Sequence, residues 1–151
     1  MKALRPLSLL VLSGVLGLLL AQPAVVAPVT RFQAVDVYIN SGAQSLAAYQ
    51  LEFAVKNGMA RVVGVEGGEH PAFKDAPFYD PKAIQQERII VAAFNTAAAD
   101  KLPTGKTRVV TIHLEIRGEP NPGYTLKLET TATVTGRRIP AQCTLEERTS
   151  E

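Results

Sequence analysis

From Val35 onward, apolar and polar side chains alternate at every second position, and that period leaves few folds open. Val35, Val37 and Ile39 interleave with Asp36, Tyr38 and Asn40. Ala47, Tyr49, Leu51, Phe53 and Val55 lie opposite Gln50, Glu52 and Lys56. Val110, Ile112, Leu114 and Ile116 oppose Thr111, His113, Glu115 and Arg117. Tyr124, Leu126, Leu128, Ala132 and Val134 oppose Thr125, Lys127, Glu129, Thr131 and Thr133. Successive side chains of a strand point to opposite faces, so such runs read as strands with one face in a core and the other in water. Threonine on the wet faces suits a pleated, half-exposed surface.

Turn residues fall between the runs. Asn57-Gly58 is a strong short hairpin signal because both residues tolerate positive φ. Ser41-Gly42, Gly67-Gly68, Pro103-Thr104-Gly105, Asn121-Pro122-Gly123 and Gly136 mark other breaks. The implied strands cover residues 31–40, 46–56, 59–66, 88–95, 106–117, 124–134 and 138–145. Seven or eight short antiparallel strands, each with one buried face, predict an all-β chain with two sheets packed as a β-sandwich. A closed barrel is the competing solution.

Residues 67–87 break the alternation and hold three prolines. Asp80-Pro81 reads as an N-cap and first helical residue, which predicts a short helix over Pro81–Glu87. A smaller helical turn is expected at Thr96–Asp100. Long loops in compact domains are often functional, so the candidates cluster here.

The first 21 residues read as a signal peptide. Lys2 and Arg5 precede a 14-position apolar stretch, Leu7 to Leu20, shorter than the ~20 residues a spanning helix needs. Cleavage is expected after Ala21; an uncleaved anchor is the alternative, opposed by Pro23 and Pro28. Residues 22–30 form a linker, 31–146 the domain and 147–151 a tail. Removing Lys2 and Arg5 from the 16 basic residues leaves 14, against 14 acidic ones, a neutral mature chain. No nucleic-acid partner and no membrane span after leader removal are therefore expected. The chain has one cysteine, Cys143, so no intrachain disulfide forms, and its parity with Ile139, Ala141 and Leu145 faces it to the core as an inert thiol.

The order of these features resembles a cohesin-type domain, a sandwich related to bacterial carbohydrate-binding modules. The resemblance covers about residues 32–140 and lies in the runs 35–42, 46–55, 60–68, 88–95 and 102–116. It implies a nine-stranded jelly roll whose sheet face or loops bind a dockerin-type protein module or a polysaccharide.

Within the loop, Glu66, Glu69, His70, Asp75 and Asp80 crowd oxygen ligands that calcium would accept; the competing reading is a solvated loop in which Asp80 caps a helix. Zinc lacks partners because the chain has two histidines. Phe73, Phe78 and Tyr79 either stack on a ligand or fold back to plug the end of the sandwich. The polar face of Asp36, Tyr38 and Asn40 is a further ligand surface or an ordinary wet strand. His113 lies near Glu115, but no serine occupies a nucleophile-elbow setting, so no catalytic residue is assigned. The expected function is a non-catalytic exported binding module, secreted or in the cell envelope, engaging a polysaccharide or an exported protein partner without a cofactor. Its candidate ligand residues are Glu69, His70, Phe73, Phe78, Tyr79 and Asp80. The alternatives are a small glycan-active envelope enzyme using loop carboxylates and a structural envelope component.

Overall fold

Alternation turns into strands almost run for run in the computed structural model, which describes residues 27–148. The strands are β1 (Thr30–Asn40), β2 (Ala48–Asn57), β3 (Met59–Gly67), β4 (Phe78–Tyr79), β5 (Arg88–Phe94), β6 (Lys106–Arg117), β7 (Gly123–Ala132) and β8 (Gln142–Glu147). They form two four-stranded antiparallel sheets, ordered β3-β6-β1-β8 (sheet A) and β4-β5-β2-β7 (sheet B). In each outer pair the first strand joins the last still unpaired: β1 with β8, β2 with β7, β3 with β6, β4 with β5. That is one long hairpin rolled into two layers, the jelly-roll solution to hiding strand faces. The described residues hold eight strands, where the family resemblance implies nine. The signal peptide expected over residues 1–21 lies outside the described residues, and among those residues no helix is long and apolar enough to cross a membrane.

The inward parities make the core. Val35, Val37, Ile39, Val62, Ile112, Leu114 and Ile116 of sheet A meet Leu51, Phe53, Ile89 and Val91 of sheet B, all at most 1% exposed. Each such side chain contributes about 1.5–3 kcal/mol of burial. The β1–β6 register slips between Val37 and Tyr38, leaving Val109 as an extra buried residue. Tyr49 reaches across the core and donates its hydroxyl to the Val109 carbonyl at 3.0 Å, so the bulge ties the two sheets together.

Four local expectations change. Asn57-Gly58 is not a hairpin within a sheet, because β2 belongs to sheet B and β3 to sheet A. Gly58 takes the positive φ of 77°, and the Asn57 side chain accepts from the Gly123 amide; the turn carries the chain over the sandwich end. The helix over Pro81–Glu87 shrinks to a 3-10 turn, Pro81–Ala83. Beyond it the backbone is drawn into sheet-like bonds: Gln85 N–H donates to Val62 O (2.7 Å), Val62 N–H to Gln86 O (2.9 Å) and Val55 N–H to Glu87 O (2.8 Å). The turn expected at Thr96–Asp100 is a 3-10 turn at Ala99–Lys101. Val134 is 44% exposed, since β7 ends at Ala132 and Thr133 closes a turn with Arg137.

The long loop is held by one aromatic anchor and two glycines. Phe73, 3% exposed, meets Tyr49 edge-on with centroids 5.3 Å apart. A side chain on Gly67 would overlap the Lys74 carbonyl, and one on Gly68 the Arg108 carbonyl, so the loop packs directly on β6.

Candidate exposed aromatic face

β5 is apolar on both parities. Ile89 and Val91 enter the core; Ile90, Ala92 and Phe94 occupy the outer face of sheet B. β4 is the edge strand, with Phe78 paired to Ala92 and Tyr79 to Val91. Neighbouring residues of a strand face opposite ways, so Tyr79 packs against the core while Phe78 stands outward. Phe78 is 67% exposed and Phe94 66%. Their rings are nearly parallel (13°), with centroids 6.0 Å apart. Ala48 lies opposite Phe94 on β2, and Ile90 extends the apolar surface toward Arg88. Ion pairs border it: Arg88 with Glu52, and Lys127 with Glu129 at 2.7 Å.

The loop candidates separate. Glu69 accepts from the Arg108 backbone N–H at 2.8 Å. His70 Nδ1 accepts from Ala72 N–H at 3.1 Å, capping a 3-10 turn over Pro71–Phe73. Asp80 Oδ1 accepts from Lys82 N–H at 3.0 Å. These side chains shape the loop, and no group of three or more His, Cys, Asp or Glu in metal-binding proximity occurs among the described residues. Phe73 is buried and Tyr79 half-buried, so of the six candidates only Phe78 is an aromatic ring on the outer surface. Its partners Phe94 and Ile90 were not among the residues singled out from the sequence. The signal was present: an antiparallel strand at a sandwich surface has one wet face, yet residues 89–94 contain no polar residue.

The outer face of sheet A is internally paired. Arg148 donates from Nε and Nη2 to the two Asp36 carboxylate oxygens, both at 2.8 Å. Thr111 donates its hydroxyl to Asp36 Oδ1 at 2.6 Å and accepts from Arg108 Nη1 at 2.6 Å. Burial alone would raise the Asp36 pKa; the Arg148 and Thr111 hydrogen bonds, with the Arg148 and Arg108 charges, overcome it and hold the carboxyl below its usual value. Lys106 sits 4.5 Å from the centre of the Tyr38 ring and 2.6 Å from Glu146. The surface of Asp36 and Tyr38 is thus occupied by its own partners. His113 Nε2 lies 3.0 Å from Glu66, and burial pushes the half-buried Cys143 thiol up.

Comparison of the chain with protein-family models, with curated proteins and with solved structures finds no match.

Proposed function

We propose that this chain is an exported, non-catalytic, cohesin-like binding module, and that the outer face of sheet B docks an exported protein partner. The observation that carries this reading is the pair of parallel, two-thirds-exposed rings of Phe78 and Phe94 beside Ile90. Exposed apolar patches rimmed by polar residues mark interaction surfaces, and large aromatic side chains supply binding energy when a partner removes them from water. A protein is favoured over a polysaccharide at this face because the rings are flanked by Ala48, Ala92 and Ile90, which offer sugar hydroxyls no side-chain hydrogen bonds.

The test is capture from the producing cell's exported fraction with wild type and with the double variant Phe78→Ala/Phe94→Ala, alongside a glycan array. Stable capture by wild type alone supports protein docking. A glycan signal lost in the double variant would turn the reading to a polysaccharide, and glycan turnover would overturn the non-catalytic one.

A further inference from the structure

Two open sheets leave four edge strands among the described residues: β3 and β8 in sheet A, β4 and β7 in sheet B. An uncovered edge presents a row of backbone donors and acceptors to any extended strand, and folded chains ordinarily blunt it. Three of these edges are blunted. β3 is bonded through Val62 to Gln85 and Gln86, and β4 is two residues long between Pro77 and Pro81. β8 turns the charged Glu147 to the same face as Cys143 and Leu145.

β7 is not. It runs ten residues without a proline, and only its far end is covered, where Ile139 N–H donates to Thr131 O at 3.1 Å. The open stretch is Tyr124-Thr125-Leu126-Lys127-Leu128. Val55 N–H donates to Glu87, away from β7, so Val55 and its register partner Tyr124 form a non-hydrogen-bonded pair. Tyr124 therefore points its own N–H and C=O out of the sheet. The pairs Phe53–Leu126 and Leu51–Leu128 follow at the same alternation, so Leu126 and Leu128 point outward too. Among the described residues, these three make no backbone hydrogen bond on that side. Their side chains, with Cys143 and Leu145 of β8, are half-buried where the two sheets part, packed on the core from one side. Lys127, the residue that would guard such an edge, is paired with Glu129 at 2.7 Å.

We propose that this edge pairs with the same edge of a second copy of the chain, β7 antiparallel to β7 about Leu126. The stretch is complementary to itself. With Leu126 opposite Leu126 of the second copy, Tyr124 faces Leu128 and Thr125 faces Lys127. Apolar then meets apolar on the core side, and no like charges stand opposite each other on the outer side. Centring the pair on Lys127 would set that lysine against its own copy. Centring it on Thr125 would set Leu128 against Pro122, which has no N–H to give. One register is therefore selected. The two-fold axis stands perpendicular to the sheet, so an eight-stranded sheet results with both aromatic faces on one side. The two β5 strands lie five strand spacings apart, roughly 24 Å. Self-pairing at β7 does not depend on what the aromatic face binds.

Sedimentation velocity of the purified protein should show a monomer–dimer equilibrium, with dimer populated by about 100 µM. Thr125→Lys, at an exposed position, sets a lysine opposite Lys127 on both sides of the axis and should weaken dimerisation about tenfold or more. Thr125→Lys/Lys127→Glu should restore it, because each pair then joins opposite charges; circular dichroism checks that both variants fold. The register is read by cross-linking. In a Cys143→Ala background, a mixture of Thr125→Cys and Lys127→Cys chains should form disulfide-linked dimers on mild oxidation, and neither chain should link well alone. Phe78→Ala/Phe94→Ala should leave the dimer intact, so loss of partner docking and loss of dimerisation are separable. A wild type that stays monomeric, a dimer indifferent to Thr125→Lys, or one abolished by the aromatic double variant would overturn self-pairing at β7.

Discussion

Arg148 ties the last described residue back to the first strand. Its fork on Asp36, together with Thr111 and Arg108, fixes the end of β8 against β1. Because the Asp36 pKa is lowered by folding, the group binds protons less readily when folded than when unfolded. Its contribution to stability is therefore fully present above the ordinary value of 3.8 and fades as pH falls through the lower folded value. The Arg148 side chain is 44% exposed, so solvent screens the pair, and Arg148→Ala should cost about 1 kcal/mol at pH 7. The difference in urea stability between wild type and variant should shrink progressively as pH falls below 3.8. A gap that stayed constant with pH would show that Arg148 acts through packing alone.

At the scale of elements, Phe73 is the large apolar side chain that anchors the loop from Gly68 to Pro77 in the core. Phe73→Ala should destabilise the domain by about 3 kcal/mol and expose the loop. Limited trypsin digestion should then cut after Lys74 in the variant and spare it in wild type; equal cutting in both would show that the loop is not held by Phe73. The long strands were legible because a period of two declares itself over seven or more residues. β4 was not, since two residues between Pro77 and Pro81 cannot display a period. Which of Phe78 and Tyr79 faced outward was therefore hidden, and with it the aromatic pair. The shortened helix has a similar cause: Asp80 and Pro81 start it as their chemistry dictates, but the Val62 and Val55 backbone groups capture the residues that would have continued it.

At the scale of the molecule, among the described residues only β4 and β5 are consecutive strands that pair; every other connection between these strands crosses from one sheet to the other. No sheet can be completed from neighbouring sequence, so loop-closure entropy is met before the core rewards it. Refolding from urea should take milliseconds to seconds, and a single phase faster than about 0.1 ms would conflict with this topology. The same winding sets β4 and β5 at one side of sheet B, where Phe78 and Phe94 meet although 16 positions separate them in sequence. The most direct test of a docking face is calorimetric titration of the purified captured partner against wild type and against Phe78→Ala/Phe94→Ala, with circular dichroism confirming that both remain folded. The expected result is saturable binding by wild type and a loss of about a hundredfold or more in the variant. Equal affinity for both proteins would contradict it.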